Sequence, residues 1–125
     1  MPRVLIVDSE GNQSRSLALA LQLEGFHVEV TSSQQDAMAL LGGAPDLGLV
    51  LIDLMIPGLN GLDLARSIRR TRPSIVIVLT SAYPLSQRQL ERTECGAIGF
   101  VPKPYDTDEV SAYVRSKATA AFAAG

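Results

Sequence analysis

The chain has no tryptophan, one cysteine, one histidine and an aromatic content of only 5%. With Cys95 as its single cysteine it can form no internal disulfide and no cysteine-based zinc site. Cys95 therefore reads as a small, half-buried side chain. His27 has nothing nearby to pair with as a base or ligand, so it reads as a solvated strand residue. No stretch approaches the roughly 20 apolar residues of a spanning helix. The start, MPRVLIVDSE, lacks the apolar length and small-residue cleavage site of a secretory signal. The cytoplasm is the expected location. A charge excess is also missing, since the formal net charge is −2. Nothing in that balance favours nucleic acid or an anionic membrane as a partner. Internal linkers, charge blocks and low-complexity stretches are absent, so residues 1–125 read as one domain.

What is present is a set of short, unbroken apolar runs. Val4–Val7, Leu49–Ile52, Ile75–Leu79 and, more weakly, Ala97–Val101 suit strands buried on both faces of a parallel sheet. His27–Thr31 alternates and reads as a more exposed strand. Segments with helical spacing lie between the runs. Leu17, Ala20, Leu21 and Glu24 share one side of a helix that Gly25 should stop. Leu19 and Leu23 lie off that stripe, either as scattered surface leucines or as a docking patch. Ser32 or Ser33 can cap a helix through Leu41, closed by Gly42-Gly43. Asn60 can cap one carrying Leu62, Ala65 and Ile68, with Pro73 after its end. Arg66, Arg69, Arg70 and Arg72 would form its wet face. Pro84 should open a short helix to about Glu94. Asp106 should cap the last helix, with Val110, Val114 and Ala118 facing inward. The alanine-rich tail, Ala118–Gly125, is expected to fray. Strand and helix thus alternate five times, which implies a parallel sheet with helices on both faces.

Ligands of an open parallel sheet bind beyond the carboxyl ends of its strands. Those ends carry Asp8-Ser9-Glu10, Asp53, Thr80-Ser81 and Lys103-Pro104. Acids, hydroxyls and one lysine therefore converge. Such a set suits phosphoryl transfer to a carboxylate. Asp53 can be the nucleophile, and a hard divalent cation would offset charge. Lys103 would meet the phosphoryl group as a point charge, and Thr80 would hydrogen-bond one of its oxygens. The plain alternative is polar capping of strand ends.

These residues resemble the response-regulator receiver domains of two-component signalling. The likeness runs through VLIVDSE, LVLIDLMIPGLNGLDLARSIR, VLTSA and GFVPKPY and covers essentially the whole chain. It implies a flavodoxin-like (βα)5 doubly wound sheet of three layers with strand order 2-1-3-4-5. That order comes from the resemblance and not from periodicity. The resemblance implies that Asp53 is the phosphoacceptor, Asp8 a metal-site acid, Thr80 the switch hydroxyl and Lys103 the phosphate contact. The cation would be Mg2+, with the Met55 backbone carbonyl as a further ligand. The Lys103–Pro104 bond is expected to be cis. The implied partners are a sensor histidine kinase or phosphotransfer protein and a downstream output domain or protein. A phosphorylation-dependent dimer is one further arrangement to test. The expected role is that of a switch whose α4-β5-α5 surface changes, not of an enzyme.

Two positions depart from the family pattern. The first strand is usually followed by two adjacent acids, but here Ser9 follows Asp8. Glu10, or Ser9 through a water, would have to complete the metal site. Secondly, the aromatic three residues before the lysine is Phe100, whose ring has no hydroxyl to offer a partner. Ser9 supports an alternative, a protein-interaction module that works without phosphate. An aspartyl-phosphate hydrolase would place an acid where Met55 stands. A flavin-binding relative would need a Ser/Thr/Gly-rich loop where Asp8-Ser9-Glu10 stands.

Overall fold

A computed structural model describes residues 3–9 and 11–124, with side chains described throughout except at Asn12 and residues 119–124. The element order is β1 (Arg3–Val7), α1 (Asn12–Leu23), β2 (His27–Thr31), α2 (Gln34–Gly43), β3 (Leu47–Asp53), α3 (Gly61–Thr71), β4 (Val76–Ser81), α4 (Gln87–Arg92), β5 (Gly99–Pro102) and α5 (Thr107–Ala124). All pairings are parallel, and the strand order is β2-β1-β3-β4-β5. This is the doubly wound, flavodoxin-like (βα)5 sheet with strand order 2-1-3-4-5.

The unbroken apolar runs follow from two cores, one on each side of the sheet. Alternate residues of a strand point to opposite faces. Leu5, Val7, Val50, Ile52, Ile77 and Leu79 pack with Ala37 and Leu41 of α2, Leu64, Ala65 and Ile68 of α3, and Leu90 of α4. Val4, Ile6, Leu49, Leu51 and Val78 pack with Leu17, Ala18 and Leu21 of α1 and Val110, Val114 and Ala118 of α5. All seven residues of β3 are buried, which makes it the central strand in burial as well as in order. β2 lies at the edge, and its burial pattern is correspondingly mixed.

The caps at Ser33, Asn60 and Asp106 form as side-chain acceptors for the amides of Asp36, Asp63 and Glu109. Gly25 closes α1 with φ +97, and the amides of Gly25 and Phe26 reach back to Gln22 and Leu21. That pairing satisfies the last carbonyls of the helix and needs a left-handed residue, hence glycine.

Several boundaries differ from the sequence reading. α4 starts at Gln87, because Ser86 and Gln89 form a reciprocal capping box, and Pro84 stays in the loop before it. Glu94 lies beyond the helix, at φ +50. Gly42 and Gly43 lie inside the last turn of α2, which ends at Gly43 with Ala44 as its C-cap. The inner stripe of α1 is Ser14, Leu17, Ala18 and Leu21; Ala20 is half-buried and Glu24 exposed. In α3 the fully buried leucine is Leu64, with Leu62 only half-buried. In both helices most of the expected stripe faces inward, and contact with the sheet decides which flanking position joins it. The helix α5 continues through the alanine-rich tail to Ala124. Among the described residues no helix is long and apolar enough to cross a membrane.

Candidate functional site

The order β2-β1-β3 places the point where the strand order reverses between β1 and β3, although all the strands run parallel. Asp8 immediately follows β1, and Asp53 is the last residue of β3. Asp8 is held by its amide, which donates to the Thr31 carbonyl at 2.9 Å. In register Asp53 lies beside Thr80 of β4. The lysine comes from the far side, where the Lys103 amide donates to the Ser81 carbonyl at 2.9 Å. The Lys103–Pro104 peptide bond is cis.

One cation joins the two acids. Lys103 Nζ donates to Asp8 Oδ2 and to Asp53 Oδ2, each at 2.9 Å. The other Asp53 oxygen, Oδ1, accepts the Met55 amide at 2.9 Å. Asp8 is 3% exposed and Asp53 4%, so these charges meet with little solvent between them. Burial pulls the Lys103 pKa down, but hydrogen bonds and charge from Asp53 and Asp8 outweigh it and hold the ammonium above its usual value. The three groups carry a formal net charge of about −1 in a setting of low dielectric. Such a pocket favours an added cation.

The oxygen chemistry of this pocket suits a hard divalent ion. Mg2+ is commonly held by one or two carboxylates, with waters and phosphate oxygens completing its shell. Asp8 and Asp53 supply that number. Among the described residues no group of three or more His, Cys, Asp or Glu side chains gathers anywhere. Ser9 is exposed. Glu10, the other candidate for completing the site, lies outside the described residues.

Thr80 and Phe100 occupy the side of the pocket toward β5. The Thr80 hydroxyl, 1% exposed, donates to the Val101 carbonyl at 2.6 Å. It is therefore engaged with β5 and not with Asp53. Phe100 is half-buried against the core under α2, α3 and α4. Met55 keeps its side chain 51% exposed at the pocket rim.

Several contacts have no signal in the sequence pattern. Gln13 Nε2, in the first turn of α1, donates to the Tyr105 carbonyl at 3.0 Å. That bond ties the loop after β5 to the segment after β1. The arginines of α3 are not simply a wet face. Arg66 donates to the Thr93 carbonyl at 2.6 Å, and the Arg69 stem lies against Gly96. The Arg72 guanidinium donates to four carbonyls, those of Leu41, Ala44, Pro45 and Leu47. His27 is exposed, and so are Leu19 and Leu23 on the outer side of α1.

A family profile described as the response regulator receiver domain matches residues 4–115. The transcriptional regulatory protein CpxR of Klebsiella pneumoniae is 35% identical over 116 residues, which are 93% of this chain and 49% of that protein. The regulatory protein AtoC of Escherichia coli is 32% identical over 114 residues, 90% of this chain and 24% of that protein. The chain thus spans half or less of the length of these relatives. In three dimensions it is similar to a CheY-like response regulator receiver domain protein from Methanospirillum hungatei, with a TM-score of 0.86 and 22% identity, covering 100% of this chain and 99% of that one. A family match over most of the chain, together with relatives above 30% identity, agrees with the sheet order and with the acidic pocket closed by a lysine: the chain belongs to the response regulator receiver domain family of two-component systems.

Proposed function

We propose that Asp53 accepts a phosphoryl group and that the pocket around it converts that event into a change of surface. The observation that carries this reading is Lys103 Nζ bridging the buried carboxylates of Asp8 and Asp53 at 2.9 Å. An Asp53 carboxylate oxygen forms the new P–O bond, and the bond from phosphorus to the donor breaks. Asp53 arrives pre-oriented, because Met55 holds one of its oxygens and Lys103 the other. After transfer Lys103 can follow the charge onto the phosphoryl oxygens. A bound Mg2+, held by Asp8, Asp53 and the Met55 carbonyl, would supply the charge that lets the phosphoryl group approach two acids. The Thr80 hydroxyl would exchange the Val101 carbonyl for a phosphoryl oxygen. That exchange frees a carbonyl on β5, next to Phe100, and so biases the α4, β5 and α5 face between two states.

The donor in this reading is a phosphohistidine on a sensor histidine kinase or phosphotransfer protein in the cytoplasm. The receiver of the signal is an output domain or protein, and a phosphorylation-dependent dimer is one form that output could take. The domain acts as a switch and not as a turnover catalyst. A module that works without phosphate is not favoured, since it gives no reason to bury two acids against one lysine.

The test is incubation with a small acyl-phosphate donor, followed by intact mass and peptide mapping. One phosphate per chain is expected, on the peptide containing Asp53, and a magnesium chelator should suppress it. A folded protein that takes no phosphate in the presence of magnesium, or takes it elsewhere, would overturn the proposal.

Ser9→Asp should tighten magnesium binding roughly tenfold, about 1.4 kcal/mol. The new carboxylate raises the formal charge of the pocket from about −1 to about −2, whereas serine or water fills geometry without adding charge. Without metal the adjacent acids repel, so the apo protein should lose a little stability while the loaded protein gains. Magnesium titrations followed by thermal shift and by phosphorylation rate check this. If neither changes, Glu10→Gln is the next variant, and weaker binding there would assign Glu10 to the ion.

A further inference from the structure

Two side-chain oxygens, Tyr105 Oη and Ser111 Oγ, are buried without a hydrogen-bond partner among the described residues. A buried hydroxyl left unpaired is costly, so each calls for an explanation. Ser111 has an ordinary one. It sits inside α5, where a serine hydroxyl can rotate onto the carbonyl one turn back. Tyr105 has no such freedom, because its oxygen lies at the end of a rigid ring. That ring packs against the core under α1 and α5. Its backbone is held as well, since Gln13 donates to the Tyr105 carbonyl.

The placement of this hydroxyl is informative. Tyr105 stands two residues after Lys103, whose ammonium joins Asp8 and Asp53. Gln13 stands at the start of α1, just after Asp8 and Ser9. The bond between them holds the Tyr105 backbone against the start of α1, shortly after the position where Ser9 replaces the family's second acid. Burial, with the charges of Asp8 and Asp53 against that of Lys103, raises the Tyr105 pKa to about 12. The charged groups that act on the hydroxyl are thus the three groups of the pocket. It remains a protonated, neutral phenol at physiological pH, able both to donate and to accept.

We propose that Tyr105 is a positioning residue of the acidic pocket, whose hydroxyl hydrogen-bonds a water in the hydration shell of the divalent cation. This rests on the reading of the pocket as a Mg2+ site. With Ser9 in place of an acid, more of the ion's shell must be water, and a water needs polar partners to be held. The orphaned hydroxyl supplies one. Groups that orient a metal's ligands from outside typically change affinity 10- to 100-fold, and a neutral contact through water should lie at or below the low end.

The experiment is magnesium titration of wild type and Tyr105→Phe by calorimetry and by thermal shift, with no phosphoryl donor present. The phenylalanine variant should bind magnesium about threefold to tenfold more weakly, with an apo Tm equal to or above that of wild type. The chain has three tyrosines and no tryptophan, so its near-ultraviolet absorbance on the long-wavelength side of the phenylalanine bands reports tyrosine. Magnesium should perturb that absorbance in wild type and much less in the variant. Equal affinities would overturn the role of Tyr105 while leaving the metal site in place. A weaker affinity that comes with a lower apo Tm would overturn it too, as it would mark a structural residue. Absence of magnesium binding in wild type would overturn both this inference and the cation reading beneath it.

Discussion

Asp53→Asn is expected to remove all phosphoryl transfer from small acyl-phosphate donors while the chain stays folded. The amide lacks the negative charge that makes the carboxylate a nucleophile, and its oxygen is far less basic. No other acid can substitute in the same place, because Asp53 alone ends β3 and receives both the Met55 amide and Lys103. Stability should change little, by about 1 kcal/mol or less in either direction. The variant loses one ion pair with Lys103, but it also loses the repulsion between Asp53 and Asp8. The Asn carbonyl can still accept from Met55, and Lys103 retains Asp8. Intact mass should therefore show no added phosphate, with a Tm within about 5 °C of wild type. Addition of phosphate to the variant at the wild-type level would place the acceptor elsewhere.

Arg72→Met should lower stability by roughly 2–4 kcal/mol, the largest loss expected from a change outside the two cores. Arg72 follows α3, and its guanidinium reaches the end of α2 and the start of β3. There it donates to the carbonyls of Leu41 and Ala44 at 3.2 and 2.7 Å, and of Pro45 and Leu47 at 3.1 and 2.7 Å. Hydrogen bonds from charged donors are worth about 1.5–3 kcal/mol each when well formed. The four share one group and part of the site is wet, so they do not add in full. Methionine keeps the apolar stem but leaves these carbonyls without their donor. The midpoint of thermal unfolding should fall by roughly 10 °C. Arg72→Lys should recover only part of this, since an ammonium cannot span four carbonyls in one plane. A denaturant titration gives the measurement, and a loss below about 0.5 kcal/mol would show the network to be ornamental. Because the same bonds hold the start of β3, a reduced phosphorylation rate at Asp53 should accompany the loss.

The strands were legible because each is a short apolar run, and both faces of a parallel sheet are covered. The pocket was legible for a related reason. Asp8, Asp53, Thr80 and Lys103 sit where the apolar runs stop, and a parallel sheet gathers all its carboxyl ends on one edge. Caps at Ser33, Asn60 and Asp106 need only a side chain and an amide three residues on, so local sequence suffices for them. Helix rotation was less legible. Leu62 and Leu64 are equally apolar, and only packing against Val50 and Ile52 buries the second in preference to the first.

What the sequence determined by itself is the alternation of elements, the residues at strand ends and the local caps, since all of these depend on neighbours within a turn or a strand. The tertiary structure alone decided that Lys103 bridges two acids, that Thr80 is engaged with Val101, that Arg72 serves four carbonyls and that Tyr105 buries its hydroxyl. Lys103 lies 95 residues from Asp8 and 50 from Asp53, and Arg72 lies 25 to 31 from its acceptors. A side chain that pairs across such distances finds its partner only after the helices have settled on the sheet. Hydrogen bonds of this kind demand placement to within a few tenths of an ångström, and residue type and spacing do not encode that.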